Sequence, residues 1–216
     1  MFLVRLVDLT IGDASCRIVS LERVRYKEVG LLVRRYLATE EDSETANLIC
    51  ELKRARVRGY LTRAELEKVC RWKSPRAIRR IKSNTPARIR ATTGRALATQ
   101  SERVRLEYLM TLNGVSVPMA SAILTLLNPT KYGVIDIRVW QLLHAVGAVS
   151  TRSSGMGFTF NHWYQFLMII RYFAEKLQVS VRDVERALFL AHRAHQKGAL
   201  YTKRKEAVKG KQGDAF

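Results

Sequence analysis

Helix-cap signals recur along this chain, and they constrain its fold more than any other feature. Thr62 is followed three positions later by Glu65, which is the capping box of a helix start. Ser74-Pro75 and Thr85-Pro86 each pair a cap residue with a proline at the first helical position. Further cap residues open helical patterns at Thr39, Ser101, Asn161 and Ser180. The succession predicts an all-α fold of about nine short helices.

Both ends of the chain depart from this helical pattern. Residues 1–20 alternate weakly between apolar and polar, which predicts a short strand or a β-hairpin that turns near Gly12-Asp13. Residues 201–216 are basic and poor in apolar side chains, which is typical of a flexible tail. Residues 1–200 are long enough to bury a sizeable core, and we expect them to form one domain.

The charge of the chain is strongly positive, with 38 Lys and Arg against 19 Asp and Glu, a net charge of +19. Between Lys53 and Arg95, fifteen basic side chains accompany two acidic ones. A solvated helical surface usually mixes both signs, so this block predicts a polyanionic partner. Nucleic acid fits better than a membrane surface, because no exposed apolar stripe accompanies the charge.

Hydropathy and cysteine usage indicate the cellular compartment. No apolar run reaches the roughly 18 residues that cross a bilayer, and the first residues lack a signal-peptide cleavage site. Cys16, Cys50 and Cys70 show no metal-binding spacing, so we expect them to be small packing residues in a reducing interior. The sequence thus favours a monomer that is cytoplasmic or associated with the nucleoid.

The stretch LNGVSVPMASAIL, residues 112–124, places a glycine turn between two apolar helical segments. Glycine permits backbone geometry that a side chain would forbid. The next helix presents its first unbonded N–H groups, and the positive end of its dipole, to a phosphate. This predicts a helix-hairpin-helix near residues 108–127 that binds the DNA backbone, with a plain helix connection as the alternative. The predicted DNA-binding residues of the turn are Asn113, Gly114, Val115 and Ser116.

The longer segment LNGVSVPMASAILTLLNPTKYGVIDIRVWQLL resembles the core of the helix-hairpin-helix DNA glycosylase superfamily, which includes endonuclease III and the adenine and mismatch glycosylases. The family pattern is a hairpin, an apolar helix, and then an aspartate that opens a further helix. The matching residues are Leu112, Gly114, Val115, Ala120 and Val134-Ile135-Asp136. The resemblance covers roughly residues 40–175 and implies two helical lobes with a base pocket between them.

The resemblance implies that Asp136 is catalytic, and the chemistry supports that role. Cleavage of an N-glycosidic bond builds positive charge on the deoxyribose, so the transition state resembles an oxocarbenium ion. A carboxylate held against the sugar stabilises this charge or activates the attacking water. The alternative is that Asp136 is only an acid at a helix start, where the helix dipole favours it.

Three departures from the family pattern narrow the implied reaction. Members that also cleave the strand carry a lysine on the second hairpin helix, where it forms a Schiff base. Pro118 occupies that position, so we expect a monofunctional enzyme that uses water. Ser116 replaces the third hairpin residue, usually glycine, and its hydroxyl can add a phosphate contact. No cysteine lies beyond Cys70, so the carboxy-terminal iron–sulfur cluster of some relatives is not expected. We expect no cofactor, with a monovalent or divalent cation at the hairpin as an alternative.

A glycosylase also needs side chains that wedge into the base stack or line a base pocket. The candidates lie in CRWKSPRAIRR, within the basic block, in GFTFNHWYQF, beside a Gly/Ser loop, and just ahead of Asp136. The predicted pocket or wedge residues are Trp72, Tyr132, His162, Trp163 and Tyr164. The predicted phosphate contacts outside the hairpin are Lys73, Arg76 and Arg138. Core positions for the two tryptophans, and surface positions for His162 and Arg138, are the alternatives.

These residues together predict a monofunctional DNA glycosylase. Its partner would be double-stranded DNA that carries a damaged, mispaired or modified base. The alternative is a helix-hairpin-helix protein that binds nucleic acid without catalysis.

Overall fold

The computed structural model describes residues 26–38 and 40–196, and in these ranges the chain forms helices and no strand. The predicted all-α class is confirmed for this part of the chain. The strand pair predicted in residues 1–20, the tail predicted for residues 201–216, and the cap predicted at Thr39 lie outside the described residues.

Ten α-helices and one short 3₁₀ turn make up the described chain. Residues 26–36 form α1. The other helices are α2 (Ser43–Arg58), α3 (Arg63–Lys73), α4 (Ile78–Lys82), α5 (Pro86–Ala98), α6 (Glu102–Met110), α7 (Val117–Leu127), α8 (Ile137–Ala145), α9 (Phe160–Leu177) and α10 (Val181–His195). The 3₁₀ turn spans Pro75–Ala77, between α3 and α4.

Four of the predicted caps begin helices in the structure. Thr62 and Ser180 form capping boxes at the starts of α3 and α10. Thr85 and Ser101 accept hydrogen bonds from the third N–H of α5 and α6. Each cap satisfies backbone donors that the first helical turn leaves unbonded, which is why these helices start where the sequence predicts.

Three predicted helix starts are corrected by the structure. Ser74 makes no side-chain cap bond and leads into the 3₁₀ turn instead of an α-helix. Asn161 lies within the first turn of α9, because the helix begins at Phe160. The helix predicted to open at Thr39 begins at Ser43, because Asp42 caps it. By contrast, α8 begins at Ile137, directly after the predicted aspartate, because the carboxylate of Asp136 accepts hydrogen bonds from the first turn. Asp136 is therefore the cap of α8, in an extended conformation with φ −141° and ψ 175°.

α7 is the central helix of the core. All of its residues except Pro118 are buried, because α7 packs against α2, α3, α6 and α9. A helix covered on most sides needs apolar side chains all round, which accounts for the unbroken run in the sequence. After α7, the chain crosses to a second group in which α10 packs against both α8 and α9. The amino-terminal end of α7 and the start of α8 line one cleft.

Two further sequence expectations are tested by the fold. Cys70 is buried as a packing residue, whereas Cys50 is exposed, because it faces away from the buried side of α2. In the described ranges, no helix has both the length and the apolar content needed to cross a membrane.

Candidate active site

A glycine turn, residues 111–116, joins α6 to α7 where the sequence predicts it, and we call this turn the hairpin. Gly114 has a φ of +83°, a left-handed conformation that glycine adopts without strain. The turn also packs closely against α4, since a Cβ on Gly114 would lie 2.9 Å from the Cβ of Arg80 and 3.1 Å from the backbone nitrogen of Ile81. Glycine is thus required here both for its backbone angle and for the close approach of α4.

Asn84, between α4 and α5, holds the hairpin turn by two hydrogen bonds to one residue. Its Oδ1 accepts from the backbone N–H of Asn113 at 2.9 Å, and its Nδ2 donates to the carbonyl oxygen of Asn113 at 3.0 Å. Asn84 is buried, and Nδ2 also donates to the carbonyl oxygen of Ile81 at 2.9 Å. The side chain of Asn113 donates to Ser83 Oγ at 3.0 Å. The turn is therefore fixed to the basic segment that precedes α5.

The amino-terminal end of α7 offers donors on the open side of the turn. In the described chain, the backbone N–H groups of Gly114, Ser116 and Val117 have no acceptor. The hydroxyl of Ser116 makes no cap bond and is exposed. Unbonded N–H groups at a helix start, with the dipole behind them, are suited to a phosphate. Val115 itself is buried and positions the turn rather than facing outward.

Three carbonyl oxygens of the hairpin, the groups that could face a cation, are already hydrogen-bonded. The carbonyl oxygens of Thr111, Leu112 and Asn113 each accept a hydrogen bond, from Arg88, Val115 and Asn84 respectively. The Arg88 guanidinium at this turn would also repel a cation. Among the described residues, no group of three or more His, Cys, Asp or Glu side chains could hold a metal ion. We assign no step to a cation here.

Asp136 uses its two carboxylate oxygens differently. Oδ1 accepts from the backbone N–H groups of Arg138 at 3.0 Å and Val139 at 3.1 Å, which caps α8. Oδ2 faces the ammonium of Lys73 at 3.9 Å. The side chains of Asp136 and Lys73 are only 19% and 18% exposed. One oxygen is thus fixed by the backbone, and the other stands in a partly dry, positively charged setting.

Asp136 lies in a cleft of about 830 Å³ that the hairpin also lines. The predicted site residues that this cleft brings together are Lys73, Arg76, Gly114, Ser116, Asp136 and Arg138. Pro118, which the sequence resemblance aligns with a Schiff-base lysine, lines the same cleft. The sequence pattern therefore identified residues that are distant in the chain and adjacent in space.

The five predicted pocket or wedge residues do not line this cleft. Trp72 is half-buried and donates from Nε1 to Thr45 Oγ1 at 2.8 Å. Trp163 is fully buried. His162 Nδ1 accepts from the backbone N–H of Thr159 at 3.0 Å at the start of α9. Tyr132 and Tyr164 pack on Trp163 and Phe160, with ring centroids 6.4 and 5.4 Å apart. These contacts account for the five side chains outside the cleft.

Tyr132 belongs to a separate polar network that joins α6 to α9. Its hydroxyl donates to Glu102 at 3.1 Å and accepts from Arg105 at 2.8 Å. Burial would raise the pKa of Glu102, but hydrogen bonds and charge from Arg171 and Arg105 outweigh it and lower the pKa. Burial and the Glu102 carboxylate raise the pKa of Tyr132 to about 12. The network anchors the chain just ahead of Asp136.

α10 places two more titratable groups near Asp136. Burial raises the pKa of Glu185 more than its partner Arg182 lowers it, and the charge of Asp136 raises it further. Burial lowers the pKa of His192, and the charge of Arg138 lowers it further. Arg138 in turn donates to Gln196 and lies over the ring of Phe189. Contacts with α10 and the residue after it therefore hold Arg138, which lines the cleft.

Sequence reasoning missed several residues of the cleft and its support. Arg80 and Met156 line the cleft, and Asn84 holds the hairpin. Arg80 stands in the basic run RAIRR, so its charge was a usable signal. Asn84 looked like part of a cap signal beside Thr85-Pro86, and nothing in the sequence indicated its bonds to residue 113.

Comparison of the chain with protein-family models, with curated proteins and with solved structures found no match. What the cleft can do therefore follows from its own side chains.

Proposed function

We propose that this protein is a monofunctional DNA glycosylase that removes a damaged, mispaired or modified base from double-stranded DNA. The observation that carries the proposal is the shared cleft of Asp136 and the hairpin. A carboxylate oxygen without a backbone donor, free helix N–H groups and basic side chains all face one space. The two groups of helices that meet there would be the two lobes of a glycosylase-like fold.

The hairpin and the basic side chains would hold the DNA backbone. A phosphate at the start of α7 would accept hydrogen bonds from the N–H groups of Gly114 and Ser116. Arg76 and Arg138, which line the same cleft, would bind neighbouring phosphates. None of these contacts reads a base, so they position the duplex while the target nucleotide turns into the cleft.

Asp136 would act on the sugar of that nucleotide. As the C1′–N bond breaks, its Oδ2 stabilises the positive charge that develops on the deoxyribose. Water then adds to C1′, and the departing base takes up a proton, so that an abasic site and a free base result. Oδ1 stays bonded to the start of α8, which fixes the carboxylate before the reaction begins. Because Pro118 carries no amine, the abasic product would be released without strand cleavage.

The test is a base-release assay on single-lesion duplexes, each read with and without alkali. The panel includes uracil or thymine opposite guanine, adenine opposite 8-oxoguanine, 8-oxoguanine, an alkylated purine and a hypermodified cytosine. We expect cleavage only after alkali on at least one duplex. In Asp136→Asn we expect release to fall by about 100-fold or more. The asparagine oxygen can still cap α8, so the fold should be retained.

Asp42→Asn is the matched control. Asp42 caps α2 by accepting from the backbone N–H of Thr45 at 2.9 Å, and it does not line the cleft. Its variant should release the base at the wild-type rate. Release that is unchanged in Asp136→Asn would sink the mechanism. Cleavage without alkali would contradict the monofunctional assignment and point to Lys73, whose Nζ lies 3.9 Å from Asp136.

A non-catalytic nucleic-acid-binding protein is the second candidate, and one observation favours it. The ammonium of Lys73 faces the oxygen of Asp136 that catalysis would use. A binder would show tight, salt-sensitive affinity without base release. Its Asp136→Asn variant would bind as well as the wild type or better, because a negative charge is removed from the interface.

A further inference from the structure

The loop after α8 presents an exposed methionine in the cleft. Met156 is 55% exposed and lines the cleft beside Asp136. The other exposed large hydrophobic side chains of the described chain lie outside the cleft: Leu31, Val57, Val104, Met110, Tyr164, Met168 and Tyr172. Phosphate binding does not explain an exposed apolar side chain among basic ones, so Met156 would serve a different purpose.

Hydrogen bonds to α8 fix the loop that carries Met156. Trp140 donates from Nε1 to the carbonyl oxygen of Thr151 at 3.0 Å. Gln141, the next residue, donates from Nε2 to the carbonyl oxygen of Ser154 at 3.1 Å. Two carbonyl oxygens of the loop, both ahead of Gly155, are thus bound to α8.

Gly155 fixes the tip of the loop against the start of α8. It is buried, with a φ of +67°. A Cβ at this position would lie 2.9 Å from the carbonyl oxygen of Ile137 and 3.1 Å from its Cα. Ile137 directly follows Asp136, and Met156 directly follows Gly155. Met156 and Asp136 are thus each one residue from this contact, and both line the cleft.

This arrangement is suited to the base rather than to the sugar or the phosphate. A sugar held against Oδ2 of Asp136 has its base attached at the reacting carbon C1′. The ring of that base must then lie in the cleft that Met156 lines. A thioether packs well on aromatic rings, and its flexible chain adapts to their shape. The ring of Phe158 also borders the cleft but already packs edge-on against Trp140, with centroids 5.4 Å apart.

We propose that Met156 forms the apolar wall against which the extruded base packs. The proposal rests on the glycosylase function above and names the residue that contacts the base. The contact would be present before and during bond cleavage. Its loss should therefore weaken substrate binding and leave the maximal rate nearly unchanged.

The experiment compares two DNA probes in the full chain. The first is whichever panel duplex the wild type cleaves, studied in single-turnover base release. The second is the same duplex with a tetrahydrofuran abasic analogue, which has the sugar ring but no base, studied by binding. In Met156→Ala we expect the half-saturating protein concentration on the first probe to rise about tenfold. The maximal rate and the affinity for the abasic duplex should stay within about twofold of wild type.

Two variants serve as controls. Met168, on α9, is 49% exposed and lies outside the cleft, so Met168→Ala removes an equally accessible methionine and should behave as wild type. Met156→Leu keeps an apolar side chain of similar volume and should recover most of the lost binding. Thermal unfolding of each variant checks that the fold is retained.

Three results would overturn the proposal. Unchanged half-saturation in Met156→Ala would show that the base does not contact this side chain. An equal loss of affinity for the abasic duplex would place Met156 in the base stack or in the fold rather than against the base. If the wild type releases no base from any duplex, the glycosylase function itself fails, and Met156 loses its assigned role with it.

Discussion

At the scale of single residues, the two carboxylate oxygens of Asp136 have different partners. Its Oδ1 closes the first turn of α8, and this bond requires no particular neighbour beyond the backbone. Its Oδ2 faces the ammonium of Lys73, which lies 63 positions earlier at the end of α3. The cap of α8 can be predicted from the sequence, because an acid precedes a helical pattern. The contact with Lys73 cannot, because it depends on how α3 packs.

Asn84 is the residue whose loss should loosen the hairpin. In Asn84→Ala, the N–H and C=O groups of Asn113 lose their partners, both partly buried. We expect the free energy of unfolding to fall by about 1–3 kcal/mol. Affinity for duplex DNA should fall as well, because the turn no longer holds one conformation. Denaturant unfolding followed by tryptophan fluorescence, and anisotropy with a labelled duplex, measure the two effects.

Ser83→Ala is the control for this substitution. It removes two exposed hydrogen bonds of Ser83 Oγ, from Asn113 Nδ2 and to the carbonyl oxygen of Arg80, and leaves the two bonds between Asn84 and the Asn113 backbone in place. Its effect on stability should be below about 0.5 kcal/mol. Equal effects of Ser83→Ala and Asn84→Ala would show that the two backbone bonds do not hold the turn.

At the scale of elements, the sequence predicted the parts that depend on local bonding. The caps at Thr62 and Ser101 and the glycine turn involve residues close in the chain, so a short window contains their cause. The full lining of the cleft was not predictable in this way. α9 has aromatic side chains around most of its surface, and only packing on α6, α7 and α10 decides that Trp163 is buried while Tyr164 is exposed. Met156 lies in a loop whose position depends on contacts with α8.

Substitutions of Gly114 and Gly59 by alanine distinguish the cost of backbone strain from the cost of a steric clash. Both have a φ of +83°, but a Cβ on Gly59 would meet no atom within 4 Å. Gly59→Ala should cost about 1 kcal/mol of stability from the left-handed conformation alone. Gly114→Ala should cost about 2–4 kcal/mol, because its Cβ also meets α4.

The two glycine substitutions should also differ in their effect on DNA binding. Gly114→Ala displaces the turn from α4 and should weaken duplex affinity at least about tenfold, while Gly59→Ala should leave it unchanged. Equal costs of the two substitutions, in stability and in binding, would mean that the hairpin tolerates a side chain and does not need its contact with α4. Unfolding curves and duplex titrations of the two variants provide the comparison.

At the scale of the whole molecule, the described acidic side chains pair away from the region beside the hairpin. Glu102 pairs with Arg105 and Arg171, and Glu41 pairs with Arg182, on the side of α9 and α10. In the described part of the chain, no carboxylate pairs with the basic side chains of the 3₁₀ turn and α4 that flank the hairpin, Arg76, Arg79, Arg80 and Lys82. The free positive charge is thus next to the donors that would bind phosphate.

This distribution predicts the salt dependence of duplex binding and where it originates. With five or six phosphates neutralised around the hairpin and α4, a plot of log K against log salt should have a slope of about −5. The double variant Arg76→Ala/Arg80→Ala should reduce that slope by about 2, because both side chains line the cleft. Arg54→Ala/Arg56→Ala removes the same charge from α2, at residues that do not line the cleft, and should leave the slope nearly unchanged. If both double variants lowered the slope equally, the charge would act as a diffuse field, and the duplex would not be seated on the hairpin face.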